Sequence, residues 1–317
     1  LVSSIALAAA TLLAPVAQAQ TSKSVAVTAI VDHPALDAVR KGVEDELKAQ
    51  GWVAGKNLKY QYQSAQGNAA TAGQIVRKFI GDKADAIVAI ATPSAQAAAA
   101  ATSSVPIVFS AVTDPVAAKL VKDLKAPGGN VTGVSDRLPL APQVDLMLKV
   151  VPTAKRVGIV YSPGEINSTI LIKELKAVLA QRGMTLVSAA APRTVDVQAA
   201  TKSLVGKVDL IYSSTDNNVV SAYETMVRVA TDAKLPMIAA DTSSIKRGAV
   251  AALGMNYYDM GRQTGKMVVR ILKGEKPGSI AVEEGRTTML ELNAKAAREQ
   301  GATLSAALLK EGKVIVP

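Results

Sequence analysis

Three short stretches pair polar side chains able to hold a small charged molecule with places where helices begin. They are Val31-Asp32-His33-Pro34, Ala91-Thr92-Pro93-Ser94 and Val112-Thr113-Asp114-Pro115. In the last two, a capping-type residue stands directly before proline. Thr92 and Asp114 are therefore expected to cap helices that start at Pro93 and Pro115. A helix N-terminus leaves N–H groups free and carries the positive end of the dipole, which suits a carboxylate. The hydroxyls of Thr92, Ser94 and Thr113 add neutral donors. Asp114 would repel an anion and is read first as a cap. His33 is the single histidine and has no evident nucleophile partner, so it is a candidate for contact rather than catalysis.

The second half of the chain offers the opposite sign. Its corresponding turns are Ser162-Pro163-Gly164-Glu165-Ile166-Asn167, Ser214-Thr215-Asp216-Asn217 and Ala240-Asp241-Thr242. Asp216 and Asp241 each follow an apolar run, and carboxylates placed there would suit an ammonium group. Asp216 serves equally well as the cap of a following helix. Asn167 and Thr215 supply neutral polar groups beside them. A seat for an anion facing a pair of carboxylates selects a zwitterion, and so a free α-amino acid.

Positioning these turns requires strands that end side by side. Apolar runs at 25–31, 86–91, 106–110, 156–161, 185–189, 208–213 and 237–240 alternate with helical patterns. The helical patterns fall near 35–50, 69–81, 94–103, 115–124, 168–182, 196–206, 218–233 and 258–273. Near-continuous apolar strands between helices make parallel sheets covered on both faces. The fold class is α/β, and ligands of such sheets bind beyond the carboxyl ends of the strands. The segment 85–115 is echoed by 208–244, each running strand, Thr-containing turn, helix and Pro-led short strand. Turn formers from Pro127 to Pro142 divide the two series. The first lobe is thus expected at 24–136 and the second from about 137. Asn256-Tyr257-Tyr258 could carry the chain back to the first lobe.

Composition narrows the function. The 317 residues suffice for two domains. With no Cys and one His, a thiol nucleophile or a cysteine- or histidine-rich metal site cannot be built. Aromatics are 3%, too few for a nucleic-acid stacking platform, and the net charge of +10 comes from scattered bases. GxSxG, HExxH and GxGxxG patterns are missing where they would matter. Gly261-Arg262-Gln263-Thr264-Gly265-Lys266-Met267 falls one residue short of a phosphate loop and lacks its Ser/Thr. No enzyme activity, cofactor, metal or nucleic acid is expected. Residues 1–19 are uncharged and end in Ala17-Gln18-Ala19, a pattern of a signal peptide whose basic start is missing. The mature chain is expected to be extracytoplasmic and, without Cys, free of a lipid anchor.

Several segments together resemble a known family. They include TPSAQ at 92–96, VTDP at 112–115, NVTGVSD at 130–136, STDN at 214–217 and the long run 248–277. The family is the ABC-transporter substrate-binding proteins whose characterised members bind tryptophan, phenylalanine or related hydrophobic amino acids. The resemblance implies a periplasmic-binding-protein fold of type I with two lobes and a hinge of three crossing segments. On that basis the first lobe takes 24–136 plus about 256–281, and the second takes 137–255 plus about 282–317. It also implies Thr92, Ser94 and Thr113 near a carboxylate, and Asp216 or Asp241 near an amino group. Many relatives carry Glu-His where this chain has Asp32-His33. Tyr161, Tyr212 and Tyr257 are the candidates for touching a ring, and branched aliphatic ligands stay open. The expected partners are an amino acid and a membrane permease, with the protein a monomer. The alternative is another small solute, such as a sugar, a urea-like compound or a carboxylate, on the same scaffold.

Overall fold

The computed structural model describes residues 22–317, so the segment expected to be a signal peptide lies outside them. Among these residues one sheet has six strands and the other seven. The first contains β1 (Lys23–Ala29), β2 (Leu58–Ser64), β3 (Ala86–Ile90), β4 (Ile107–Val112) and β5 (Val131–Ser135). Its helices are α1 (Pro34–Ala49), α2 (Ala69–Gly81) and α3 (Thr92–Ala101). The second sheet contains β6 (Arg156–Tyr161), β7 (Thr185–Ala190), β8 (Leu210–Ser213), β9 (Met237–Asp241) and β10 (Ala251–Met255). Around it lie α4 (Leu140–Val150), α5 (Ile166–Gln181), α6 (Val197–Leu204), α7 (Asn217–Ser221) and α8 (Tyr223–Asp232).

Both sheets repeat one topology. The order is β2-β1-β3-β4-β5 in the first and β7-β6-β8-β9-β10 in the second, with these neighbours parallel. In this doubly wound order the connections reverse between the first and third strands of each set. Loops there part and leave a crevice at the strands' carboxyl ends. The central strands are buried along their length, as in β3 and β4, which explains their unbroken apolar sequence.

The chain crosses between the lobes three times among the described residues. It leaves β5 for α4 through 136–139, then leaves β10 for α9 (Tyr257–Leu272), which packs on α1. It next forms β11 (Glu283–Glu284) beside β5, and crosses again to β12 (Thr288–Asn293), antiparallel to β10. α10 (Ala294–Glu299), α11 (Ala306–Glu311) and the edge strand β13 (Lys313–Val316) close the second lobe.

The helix expected over 115–124 is not present. Asp114 caps a single turn, its carboxylate accepting from the Ala117 N–H at 2.9 Å. Lys119 then takes a left-handed conformation with φ 60°. The Lys119 N–H bonds the Val116 carbonyl and the Leu120 N–H bonds the Pro115 carbonyl, each at 2.9 Å, which is how a Schellman motif ends a helix.

The glycines at 261 and 265, which imitated a phosphate loop in sequence, serve close packing. A Cβ on Gly261 would lie 2.1 Å from the Val39 carbonyl oxygen, and one on Gly42 2.2 Å from that of Tyr258. α1 and α9 therefore meet backbone to backbone. Gly261→Ala should cost at least about 2 kcal/mol through this overpacking. Gly81→Ala, at an open position on α2, should be neutral or stabilising by up to about 1 kcal/mol. Urea denaturation of the two variants checks the contrast.

Candidate functional site

The carboxyl ends of the two sheets face each other across a cavity with an empty volume of about 350 Å³, its mouth included. The first lobe contributes His33, Ala35 and Leu36 from the start of α1, Thr92 from the start of α3, and Ala111 and Thr113 around the end of β4. The second lobe contributes Asn167, Thr215, Asn217, Val220 and Asp241. Asp136 and Tyr257 belong to the first and second crossings. Every wall therefore lies on a strand end, a helix start or the hinge.

The anion-seeking wall is built differently from the sequence expectation. Thr92 does not cap α3. The cap is Ala91, with φ 73°, and no side chain bonds the helix N-terminus. Ala91 is held there by its N–H to the Ser110 carbonyl at 2.9 Å. Ala111 is also left-handed, with φ 56°, at a bulge between β4 and β5. Such conformations cost alanine about 1–3 kcal/mol each and persist where surrounding structure imposes them. Here they turn the chain so that Thr92, Ala111 and Thr113 line the cavity. The N–H groups of Thr92 and Ser94 remain free of side-chain caps.

Two buried carboxylates line the cavity. Asp241 ends β9 and accepts from the Ser244 N–H at 3.0 Å, the Ser244 hydroxyl at 2.6 Å and the Ser243 hydroxyl. Asp136 follows β5 and accepts from the Thr113 hydroxyl at 3.0 Å and the Tyr257 hydroxyl at 2.9 Å. Burial pushes the Asp136 carboxyl above its ordinary range, against the pull of those two bonds. Asp136 and the cavity-lining Asn217 and Val220 were not among the sequence candidates. The missing signal was β5, whose Val-Thr-Gly-Val-Ser sequence falls in a stretch rich in turn formers. Once that strand is recognised, Asp136 is the residue just after a strand end.

Other candidates stand elsewhere. Asp216 is fully buried as the cap of α7 and does not line the cavity. Its carboxylate is committed to the Ser162 N–H at 2.6 Å, the Ser162 and Ser168 hydroxyls at 2.9 and 2.6 Å, and the Val219 N–H at 3.0 Å. Asp32 bonds the Tyr62 hydroxyl on the exposed side of its turn. Asp114 pairs with Arg137 at 2.7 Å. The Ser94 hydroxyl is buried in the first turn of α3 with no partner among the described residues. Behind Asn167, Glu165 accepts from Asn217 N–H and Nδ2 at 3.1 and 2.6 Å. Burial, and then the charge of Asp216, raise its carboxyl to about 7.

His33 lines the cavity with its Nδ1 buried and unpartnered among the described residues. Burial lowers its pKa to about 4, and Arg247 acts in the same direction against Asp241 and Asp32. At neutral pH the ring is uncharged.

A lobed cavity of this kind has known counterparts. The family model for ABC transporter substrate binding proteins matches residues 24–316. The chain belongs to that family. The tyrosine-binding protein of Clostridioides difficile is 38% identical over 271 residues, covering 86% of this chain and 79% of that one. An ABC domain from Streptococcus pneumonia in complex with L-Trp is 36% identical, with a TM-score of 0.89 and 93% and 100% of the two chains covered. The ligand-free, open structure of a Clostridium difficile substrate binding protein is 37% identical, with 93% and 99% covered and a TM-score of 0.70. At near-equal identity the chain superposes better on the L-Trp complex than on the open form. Its lobe arrangement thus differs from that of the open form. No helix among the described residues is long and apolar enough to cross a membrane.

The His33 ring yields a stability prediction. Its folded pKa is about 4 against 6.5 unfolded, so the unfolded chain takes up a proton first as pH falls. The contribution is complete above pH 6.5 and is lost progressively toward pH 4, on the order of 3 kcal/mol. His33→Asn should flatten that limb. Urea midpoints for wild type and variant at pH 7.5 and 4.5 measure the difference.

Proposed function

We propose that this chain captures a free α-amino acid with a large apolar or aromatic side chain outside the cytoplasm. It delivers that molecule, chemically unchanged, to an ABC permease. The observation that carries the reading is the opposition of charge-seeking groups in one cavity. On one side α3 presents an uncapped N-terminus with the Thr92 hydroxyl. On the other stands the Asp241 carboxylate, with the Asp136 carboxyl at the hinge, where the Thr113 hydroxyl donates to it at 3.0 Å. A carboxylate is stabilised by the first, and an ammonium by the second. The relatives whose names state tyrosine and L-Trp support the same class. Extracytoplasmic placement and a monomeric receptor follow from the family reading together with the uncharged segment at 1–19.

The ligand acts by touching both lobes. Contacts to Thr92 and Thr113 and contacts to Asp241 and Thr215 can form together only when the lobes are closed. The ligand stabilises closure by that difference in contact. Asp136 lies at the pivot and meets the ligand in either arrangement.

Calorimetry against the twenty amino acids checks the class. At least one aromatic amino acid should bind below roughly 100 μM, equivalent to about 5.5 kcal/mol. If none does, the amino-acid reading fails. Asp241→Asn should weaken the zwitterion at least tenfold, by about 1.4 kcal/mol or more, while the deaminated acid analogue is far less affected. Equal losses for both would remove Asp241 from the ammonium role.

A further inference from the structure

Glu165 stands just before α5, yet its carboxylate does not cap that helix. It is 8% exposed and turns instead toward α7 and the cavity wall. Oε1 accepts from the Asn218 N–H at 3.2 Å. Oε2 accepts from the Asn217 N–H at 3.1 Å and from the side-chain amides of Asn217 and Asn167 at 2.6 and 3.1 Å. All four partners are donors. An ionised carboxylate can accept from every one of them. A protonated carboxyl or a glutamine amide gives up part of that capacity and must itself donate.

Both asparagines line the cavity, so Glu165 decides which end of each amide the cavity meets. Asn167 shows the effect. Its Nδ2 faces Glu165 and also lies 3.4 Å from the Thr215 carbonyl and 3.5 Å from the Ser168 hydroxyl. Turned over, its oxygen would face a carboxylate and a carbonyl, so the network fixes the amide direction. Asn167 is 5% exposed, and its Oδ1 is buried without a partner among the described residues. A buried acceptor is unfavourable until a donor reaches it. The second-lobe wall thus carries an unspent acceptor as well as the Asp241 carboxylate.

Resting on the amino-acid reading above, we propose that Glu165 is a positioning residue for ligand binding. Its carboxylate holds Asn167 and Asn217 so that Asn167 Oδ1 accepts from the ligand's ammonium group, and loss of its charge releases that arrangement. Glu165 does not itself line the cavity and acts through the asparagines. Its surroundings make the device sensitive to pH. Burial, and then the charge of Asp216 at the start of α7, raise the carboxyl to about 7 against the pull of the asparagine bonds. The first-lobe residues that face it, Ile30, Val31, Gly67, Ala69 and Pro93, bear no titratable side chain. Above pH 7 the carboxylate holds both amides. As pH falls through 7 it takes up a proton, and affinity falls with it.

Titration calorimetry with L-Tyr and L-Trp at pH 8 and pH 6 tests the assignment on wild type, Glu165→Gln and Asn167→Leu. Wild type should bind about five- to tenfold more weakly at pH 6, where about a tenth of Glu165 is ionised. Glu165→Gln should already be weakened about five- to tenfold at pH 8 and should lose most of the pH dependence, because the titrating group is gone. Asn167→Leu should do the same, and adding Glu165→Gln to it should cost less than about a further twofold. A flat wild-type profile would overturn the proposal. So would equal pH dependence in wild type and Glu165→Gln, which would assign the titration to Asp136 or another cavity group. A lower urea midpoint for Glu165→Gln with affinity retained would leave Glu165 a purely structural residue. If wild type binds neither amino acid at pH 8, the amino-acid reading itself fails and takes this assignment with it. Binding with a flat profile removes Glu165 alone. The wild-type profile needs no substitution, so the test stands even if a variant does not fold.

Discussion

The Asp136 carboxylate holds the site and the hinge together as one object. It sits in the first crossing and accepts from Thr113 at the end of β4 and from Tyr257 in the second crossing. Thr113 and Tyr257 are 144 residues apart in sequence, so these bonds fasten distant parts of the chain to a single buried group. Asp136 also lines the cavity. A molecule that contacts Asp136 therefore contacts the pivot about which the lobes turn. Ligand charge and lobe geometry are linked through one residue rather than through a long relay.

The links that span the lobes outside the cavity are weak by comparison. Arg137 joins Asp114 in the first lobe to Glu174 on α5 in the second, with both bonds at 2.7 Å and its side chain 41% exposed. Exposed pairs of this kind contribute about 0–1 kcal/mol each. Moving a two-state hinge from 1:99 to 99:1 takes roughly 5.5 kcal/mol of differential affinity. Surface pairs alone do not supply that. The difference must come from groups that meet across the cavity, where water is excluded and hydrogen bonds to charge are strongest.

The architecture was legible because the buried parallel strands and their intervening helices leave a plain alternation of apolar runs. The edges were less so. β2 reads Leu-Lys-Tyr-Gln-Tyr-Gln-Ser and sits at the end of its sheet, half-buried, so its polar residues hid it. β5 was obscured by the turn formers around it, and Asp136 with it. Residues 115–124 looked helical because Asp-Pro precedes an Ala-rich stretch. A left-handed Lys119, which no propensity favours, ended the turn. The same limit applies at Ala91 and Ala111: alanine in a left-handed conformation carries no local signature, because tertiary contacts impose it. Asp216 and Asp241 looked alike in sequence, each after an apolar strand. Position in the sheet separates them. Asp216 leads into α7 and turns inward to Ser162 and Ser168, whereas Asp241 leads only into a short 3-10 turn and keeps its place on the cavity wall.

The electrostatics of the cavity bear on closure. Asp136 and Asp241 are both buried, and no lysine or arginine stands among the described residues lining the cavity with them. Removing carboxylates from water without a counter-charge is costly, which is why the Asp136 carboxyl is pushed up. On the amino-acid reading proposed above, a ligand's ammonium group would supply the missing charge, and its carboxylate would meet the free N–H groups of α3. Closure would then be favoured most by a molecule carrying both charges, because only such a molecule gains on both sides of the cavity at once.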